Sequence, residues 1–271
     1  MPFTIHFVCT FSHITTTRRI QMNTDRKKQI LEILLKEKEI NVKDLAKRLY
    51  ISEPSVRRDL AELEKEKFLR RTHGGAVLEE LNSSSLKIPF IIRELEQSDA
   101  KIHIARQAAE LVKDGDVIML DASSSAYNVI PFLSTRTNLT VITSGVKTLM
   151  RLAEYGINAY STGGHLLPSC LSRTDHDATS MLDHYNADIV FFSCRGLSED
   201  GLLTDFSIEE NHIRSKMLQN ARTSVLLCNS KKINQKYIHT LCSIRDVDYC
   251  FSEVELPENL LGRRQRENDL G

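Results

Sequence analysis

The chain has 271 residues, with 36 Lys and Arg against 36 Asp and Glu, so its formal net charge is zero. The hydrophobic content of 41% suffices for a buried core, which excludes a chain that is disordered throughout and favours one small and one larger domain. The charge is unevenly placed, because residues 23–78 hold 14 basic and 10 acidic side chains whereas residues 79–271 hold 20 and 26. This asymmetry predicts a small anion-binding domain followed by an acidic body.

Cysteine and hydropathy patterns exclude further classes. The six cysteines form no Cys-x-x-Cys pair and have no regular spacing, which argues against a zinc ribbon and a disulfide scaffold. No apolar run reaches the roughly 18 residues of a membrane span. We therefore expect a cytoplasmic protein without a membrane segment, cofactor or metal ion. Asp175, His176, Asp177 and His184 lack a known ligand spacing and are interpreted as surface residues at the start of a helix.

The first 22 residues are not expected to contribute to a domain. Arg18 and Arg19 follow a short apolar stretch rather than precede it, unlike the basic residues of a signal peptide. We expect residues 1–22 to be a non-structural extension. The hypothesis is that Met22 is the native start and that residues 1–21 over-extend the reading frame.

Residues 23–78 have the pattern of a small helical domain. Apolar residues recur at three- and four-residue intervals from Ile30 to Leu34 and again from Val42 to Leu49, which predicts two helices. The segment 39–41 between them is predicted to be a turn.

A third helix is predicted to begin after Ser52. The Ser52 hydroxyl can cap free backbone N–H groups, and Pro54 falls in the first turn, where a missing donor costs little. The apolar stripe of this helix consists of Val56, Leu60 and Leu63. These three residues are expected to face the core.

The opposite side of the third helix carries polar and basic residues. With the stripe facing inward, Ser55, Arg57 and Arg58 remain on the outer surface, where a recognition helix presents side chains to the major groove. Asp59 is expected beside them. The alternative is an ordinary solvated helix, which is the commoner origin of a basic helix face.

A two-stranded wing is predicted after the third helix. Residues 68–72 and 76–78 have strand character, and His73-Gly74-Gly75 separates them as a turn. Arg70 and Arg71 on this wing would add phosphate contacts.

The whole pattern of this domain resembles the DeoR family of bacterial repressors. The resemblance depends on the segments Val42-x-x-Leu45-Ala46-x-x-Leu49, Ser52-x-x-Ser55-Val56-Arg57-Arg58-Asp59-Leu60-x-x-Leu63 and Arg71-Thr72-His73-Gly74-Gly75-Ala76. It implies a winged helix-turn-helix that binds a double-stranded DNA operator, with Arg57 or Arg58 on a guanine edge and the other on a phosphate. The expected DNA-binding residues are Ser52, Ser55, Arg57, Arg58, Arg70, Arg71 and His73.

The remainder is predicted to be a linker, a larger α/β domain and a tail. Residues 79–86 lose periodicity and collect Ser and Asn, so we assign a linker to 79–99, the domain to 100–255 and a disordered tail to 256–271. Short apolar runs alternate with helix-length segments, which predicts an open parallel sheet covered on both faces. The expected strands are 117–120, 139–142, 158–161, 189–192 and 224–227.

Ligands bind at the carboxyl ends of the strands in such sheets, and five polar loops follow the predicted strands. The candidate effector-binding residues in them are Asp121, Ser123, Ser124, Ser125, Thr143, Ser144, Gly163, Gly164, Arg195, Gly196 and Lys232. The serines are expected to hold a phosphate, Asp121 to accept bonds from sugar hydroxyls, and Lys232 to supply a charge. The alternatives are a plain helix cap, glycine turns and a solvated lysine.

Residues 87–251 are also similar to the sensor domain of DeoR regulators, whose fold is similar to that of ribose-5-phosphate isomerase. This chain departs from the family at Ser123-Ser124-Ser125, where Gly-Thr-Thr is usual, at Ser144, where Asn is usual, and at Asn229, where Asp is usual; Arg214 stands where Lys is frequent. The resemblance implies a repressor of a sugar-metabolism operon that responds to a phosphorylated sugar. A homo-oligomer, either dimer or tetramer, is expected because a palindromic operator needs two heads.

Two alternatives remain. One is a sugar-phosphate isomerase or deaminase with a DNA-binding appendage, in which Asp121 or Glu209 would be the general base. The other is an activator or architectural DNA-binding protein without a ligand.

Overall fold

The computed structural model describes residues 12–78 and 88–268. The chain divides into two compact units, residues 1–82 and residues 83–271. No helix within the described residues is long and apolar enough to cross a membrane.

The first unit is a three-helix domain with a small antiparallel sheet. Its elements are α1 (Ser12–Glu37), β1 (Glu39–Asn41), α2 (Val42–Leu49), α3 (Glu53–Lys65), β2 (Leu69–Arg71) and β3 (Gly75–Leu78). The strands pair in the order β1-β3-β2. Leu31, Leu45, Val56, Leu60 and Leu63 are buried, so the predicted stripe of α3 does face the core.

Three sequence expectations for this unit need correction. Residues 12–22 were expected to be non-structural but belong to α1, whereas residues 1–11 lie outside the described range. The expected turn at 39–41 is strand β1, which pairs with β3 along the register Ile40↔Ala76. The side chain of Ser52 caps no backbone N–H; its Oγ instead lies 3.0 Å from Ser55 Oγ.

A close backbone approach explains Gly75 in the wing. A Cβ at this position would lie 2.0 Å from the carbonyl oxygen of Ile40 on the neighbouring strand. Only glycine permits strands β1 and β3 to approach at this point.

The second unit is built on a six-stranded parallel sheet. In spatial order its strands are β14 (Tyr249–Phe251), β12 (Ala221–Leu227), β9 (Ala187–Phe192), β4 (Val117–Leu120), β5 (Thr140–Thr143) and β6 (Asn158–Ser161). All five neighbouring pairs are parallel. The open parallel α/β fold is therefore confirmed, together with one strand, β14, that the sequence analysis did not identify.

Helices cover this sheet, and two smaller sheets flank it. The helices are α4 (Phe90–Leu95), α5 (Ser98–Ala109), α6 (Ser124–Tyr127), α7 (Ile130–Leu133), α8 (Val146–Glu154), α9 (His176–Leu182), α10 (Ile208–Gln219) and α11 (Arg263–Asn268). The small antiparallel sheets are β7 (His165–Leu167) with β8 (Ser172–Thr174), and β10 (Gly196–Leu197) with β11 (Leu202–Asp205) and β13 (His239–Ser243).

The expected boundaries of this unit also need correction. The linker was expected to extend to residue 99, but Phe90 and Ile92 in α4 are buried and α5 begins at Ser98. The segment 256–271 was expected to be disordered, yet α11 lies within it. Arg263 NH2 lies 2.5 Å from Asp248 Oδ1, and the Gln265 side chain donates to the Cys250 carbonyl at 3.1 Å.

Candidate functional site

The outer face of α3 presents two arginines to solvent. Arg57 and Arg58 are exposed, and the side chain of Arg57 keeps 51% of its surface although its NH2 lies 3.5 Å from Glu53 Oε2. A single exposed pair of this kind binds weakly. The guanidinium groups are therefore available to another anion.

Asp59 does not lie beside these arginines as expected. It is fully buried, and its two carboxylate oxygens accept bonds from Arg26 Nε at 2.5 Å and Arg26 NH2 at 2.7 Å. The hydrogen bond to Asp59 is the main reason that the pKa of Arg26 is raised. Residue 26 lies 33 positions away on α1, so this fork fixes α3 against α1 and was not visible in local sequence patterns.

The wing contributes a second exposed basic segment. Arg70, Arg71 and His73 are all exposed. Glu64 accepts the backbone N–H of Arg71 at 2.8 Å, and its other oxygen lies 3.9 Å from Arg71 NH1. The predicted DNA-facing side chains thus come from α3 and from the wing of the same unit.

In the second unit, the carboxyl ends of the parallel strands bring distant polar loops together. Lys232, after β12, donates to Ser193 Oγ at 2.6 Å, after β9, and lies 3.5 Å from Ser125 Oγ, after β4. Part of the Lys232 side chain stays accessible, but burial of its ammonium group lowers its pKa. A lysine held by hydroxyls in this way is a candidate anion ligand.

The neighbouring serines have different roles. Ser123 Oγ accepts the N–H of Ala126 at 3.1 Å, which is the plain helix cap considered as an alternative. Ser124 Oγ donates to the Arg93 carbonyl at 3.0 Å, so it holds α4. Among these three serines, Ser125 is the one whose hydroxyl is described as a hydrogen-bond partner of Lys232.

Asp121 is engaged by an arginine that the sequence analysis did not include in the site. Its Oδ2 accepts from Arg214 Nε at 2.9 Å and from the Ser193 N–H at 3.2 Å, and its Oδ1 accepts from the Ser123 N–H at 3.0 Å. The carboxylate is buried. Asp121 therefore fixes the loops after β4 and β9, which leaves little capacity for the sugar hydroxyls expected there.

Arg214 is the centre of a buried ion-pair network. Its NH1 lies 2.7 Å from Asp205 Oδ2 and its NH2 lies 3.7 Å from Glu210 Oε1, in addition to the pair with Asp121. Burial alone would lower the pKa of Arg214, but the three carboxylates together raise it. Burial opposes ionisation of Asp205 as well, and the Arg214 charge lowers the pKa of that carboxyl.

Three further cations, Lys101 and two arginines, form a cluster with Lys232. Lys101 is buried and donates to the carbonyls of Arg93 and Glu96, the latter at 2.6 Å, so it closes the end of α4. Burial, together with the charges of Lys232, Arg93 and Arg195, lowers the pKa of Lys101 to about 7, although Glu96 opposes this shift. We call Arg93, Lys101, Arg195 and Lys232 the cation cluster.

One donor of the cation cluster is unpartnered. Within the described residues, Arg93 Nε is a buried nitrogen without a hydrogen-bond partner, although its NH2 donates to the Cys170 carbonyl at 3.2 Å. Buried donors without partners are rare in native proteins. The sequence pattern did not identify Arg93 or Lys101 as site residues, because only the fold brings them near Lys232.

The remaining sequence candidates occupy the same sheet edge with structural partners of their own. Thr143 Oγ1 accepts the N–H of Gly145 at 3.0 Å, and the Ser144 carbonyl accepts the N–H of Arg173 at 2.8 Å. Gly196 contacts residue 235, where a Cβ would lie 2.4 Å from the Gln235 carbonyl oxygen.

Gly163 and Gly164 follow the edge strand β6, two strands away from β4. Both have positive φ, 67° and 86°. A Cβ on Gly164 would lie 2.4 Å from the Thr174 carbonyl oxygen, so this glycine permits the turn to pack on strand β8.

Asp175 has a local structural role. Its carboxylate accepts the N–H groups of His165, Asp177 and Ala178 at 2.9, 2.9 and 3.2 Å, which caps α9. No group of three or more His, Cys, Asp or Glu side chains in residues 12–78 and 88–268 is placed to hold a metal ion.

Comparisons with known proteins match both units. Residues 26–81 match the DeoR-like helix-turn-helix domain, and residues 96–253 match the DeoR C-terminal sensor domain. An uncharacterized HTH-type transcriptional regulator YulB of Bacillus subtilis is 33% identical over 233 residues, which cover 86% of this chain and 89% of that protein. The glycerol-3-phosphate regulon repressor of Escherichia coli K12 is 25% identical over 241 residues, 88% of this chain and 94% of that protein.

Among solved structures, ribose 5-phosphate isomerase A from Methanocaldococcus jannaschii aligns with a TM-score of 0.40 and 24% identity, covering 51% of this chain and 55% of that chain. The family models together span the helix-turn-helix unit and most of the α/β unit, in the order that the sequence predicted. The chain belongs to the DeoR family of helix-turn-helix transcriptional regulators.

Proposed function

We propose that this regulator represses an operon of sugar metabolism and that a phosphorylated sugar controls its binding to DNA. The observation that carries the proposal is the contrast between exposed arginines on one helix face of the first unit and a partly buried cation cluster at the sheet edge of the second. The names of two relatives agree with this proposal, since one is a glycerol-3-phosphate regulon repressor and the other a putative aga operon transcriptional repressor.

DNA binding is assigned to the face of α3 and to the wing. Arg57 and Arg58 supply the forked donors that match a guanine edge or a phosphate, and Ser52 and Ser55 lie at the start of the same helix. Arg70, Arg71 and His73 supply contacts to the DNA backbone from the wing. Base contacts then come from α3, and the wing adds affinity.

The effector phosphate is assigned to Lys232, Arg195 and the Ser125 hydroxyl, while the Ser193 hydroxyl positions Lys232, since it accepts from that lysine and donates to the Leu227 carbonyl. These groups present positive charge and hydrogen-bond donors, and the side-chain hydrogen bonds of Lys232 in the described part of the chain go to hydroxyls. A dianionic phosphate would relieve the mutual repulsion of the cation cluster. Thr143, Ser144, Gly163 and Gly164 line the sheet edge further along and would contact the rest of the sugar.

An enzymatic role for the α/β unit receives no support from Asp121. A general base must be free to take a proton, whereas this carboxylate is buried and paired with Arg214 at 2.9 Å. The hydrogen bonds of this carboxylate give Asp121 a structural role, since they connect Arg214 with the loops after β4 and β9. We assign the unit to sensing and to assembly of a dimer or tetramer, because an operator with two half-sites requires two heads.

Replacing both arginines of α3 tests the DNA assignment. The DNA probe is a duplex that the full-length chain selects from a random-sequence library. Arg57→Ala/Arg58→Ala should weaken binding to this duplex by on the order of 100-fold. The melting temperature should not change, since both side chains are exposed. Arg222→Ala, an exposed arginine of the second unit, is the matched control; equal affinity of the double variant and this control would refute the assignment.

A further inference from the structure

The turn between α2 and α3 contains an aromatic residue in an unfavourable position. Tyr50 has φ 53° and ψ 42°, the left-handed region that side chains other than glycine avoid. Its side chain is 95% exposed, the highest value among the large hydrophobic residues that the structure describes as exposed. The residue thus bears a conformational cost without gaining burial in return.

Other non-glycine residues with positive φ differ from Tyr50. In the described part of the chain they are Lys38, Lys67, Gln97, Asn138, Leu171, Asp175 and Asn234, of which all but Leu171 are polar. Leu171 is half-buried. Tyr50 is therefore the aromatic member of this set, and its exposure has no packing explanation.

The backbone of this turn is fixed. The N–H groups of Tyr50 and Ile51 both donate to the Ala46 carbonyl, the second at 3.0 Å. The tyrosine side chain is consequently exposed on a backbone that is hydrogen-bonded to the end of α2. A rigid aromatic side chain with two rotatable bonds loses little entropy when it binds a partner.

Tyr50 lies next to the proposed DNA-binding surface. Two residues separate it from Glu53, the first residue of α3, and Ser52 and Pro54 beside it are exposed as well. Two to three residues of extended chain span at most about 7–10 Å, so Tyr50 lies within that distance of the start of α3. Its hydroxyl is one of the neutral donors that proteins use on phosphate oxygens.

We propose that Tyr50 binds the DNA backbone beside the recognition helix through its phenolic hydroxyl. The inference rests on the proposed DNA binding by this unit and adds a contact outside the arginines of α3 and the wing. Because the tyrosine is neutral and contacts a phosphate, it supplies affinity without sequence preference and without releasing a counterion.

Two variants of the full-length chain separate the hydroxyl from the backbone conformation. Tyr50→Phe should weaken binding to the selected duplex roughly 2- to 10-fold, the effect of one hydrogen bond, and weaken binding to an unrelated duplex by the same factor. The slope of affinity against salt concentration should not change. Tyr50→Gly should weaken binding at least as much while its melting temperature equals or exceeds that of the parent, because glycine accepts the left-handed conformation.

Several outcomes would overturn the proposal. Parental DNA affinity in Tyr50→Phe would exclude the hydroxyl contact, and a lower melting temperature in Tyr50→Gly would make the residue structural. Arg57→Ala/Arg58→Ala, measured in parallel, identifies which assignment fails. Loss of binding in the arginine variant alone would refute only the tyrosine contact, whereas loss in the tyrosine variants alone would refute only the arginine assignment.

Discussion

The two units treat positive charge in opposite ways. In the first unit, Arg57, Arg58 and Arg70 lie exposed on α3 and the wing. In the second unit, Lys101 is buried and Lys232 is partly buried, held by hydroxyls and carbonyls from separate segments of the chain. The difference teaches that exposed cations suit a large polyanion that approaches from outside, whereas partly buried cations suit a small anion.

The same contrast exists between arginines paired with buried carboxylates and exposed arginines. Arg26 and Arg214 are paired with buried carboxylates, so their removal should affect stability before it affects binding. Removal of the exposed arginines should instead weaken DNA binding without lowering stability. Four substitutions test this division, in order of decreasing effect.

Arg214→Met should have the largest effect. It would leave the carboxylates of Asp121, Asp205 and Glu210 buried without their cation, which costs about 3–5 kcal/mol of unfolding free energy. Urea unfolding followed by circular dichroism measures the loss. The control is Arg222→Met, whose guanidinium is 80% exposed and 3.5 Å from Asp188; it should change stability by less than about 0.5 kcal/mol.

The pH dependence of this variant is a second readout. In the parent the pKa of Asp205 is lowered, so its stabilising contribution is present above the ordinary carboxyl pKa and is lost as the pH falls through the lowered value. Without Arg214 the buried carboxylates should favour protonation, and the variant should regain stability in acid relative to the parent. If Arg214→Met lost the same free energy of unfolding at every pH, the assignment of Arg214 as the partner of these carboxylates would be contradicted.

Arg26→Met should destabilise the first unit by roughly 3 kcal/mol, because Asp59 would remain fully buried and unpaired. Asp59→Asn added to this variant should restore part of the loss, since the charge itself is then removed. Thermal unfolding of the single and double variants gives the coupling between the two residues. Arg48→Met, which breaks an exposed pair with Glu37, is the control; a loss as small as that of the control would show that the fork does not hold α3.

Lys101→Met should flatten the pH dependence of stability. The pKa of Lys101 is about 7 in the folded chain and near 10.5 in the unfolded chain, so the unfolded state binds an extra proton between these values. Stability of the parent should therefore rise with pH across this window, and the variant should lose that rise. Urea midpoints at pH 6 to 10 test it against Lys147→Met, an exposed lysine; an unchanged rise in Lys101→Met would contradict the burial of this charge.

Arg70→Ala should have the smallest effect. A single lost phosphate contact weakens DNA binding only a few-fold and lowers the salt slope by about 0.9. Anisotropy titrations at salt concentrations between about 50 and 200 mM measure both the affinity and the salt slope. A loss of sequence preference instead of a uniform loss would place Arg70 on a base edge.

Hydrophobic periodicity in the sequence correctly predicted helix α3 and most strands of the parallel sheet. The stripe Val56, Leu60 and Leu63 identified α3 and left Arg57 and Arg58 outside, and apolar runs identified five of the six strands of the parallel sheet. Strand β1 was missed because it is only three residues long, two of them, Glu39 and Asn41, are polar, and it pairs with β3, more than 30 residues later.

The candidate site was predictable in its loops but not in its charges. The carboxyl ends of parallel strands meet at one edge, so Ser125 and Lys232 could be placed together. The partners Arg26, Lys101 and Arg214 come from other helices, and no spacing in the sequence connects them with Asp59, Lys232 or Asp121. For the same reason Asp121 was expected to bind sugar although Arg214 occupies its carboxylate.

The central claim is that the exposed arginines of the first unit and the cation cluster of the second unit have separate roles. Its most direct test is an anisotropy titration of the selected duplex, with and without a panel of phosphorylated sugars. The parent should bind the duplex, and at least one sugar phosphate should change its affinity by roughly 5- to 150-fold, the usual range of allosteric coupling. Lys232→Met should bind the duplex equally well and lose that response. A response that persists in Lys232→Met, or DNA affinity that falls with it, would contradict the division of labour between the two units.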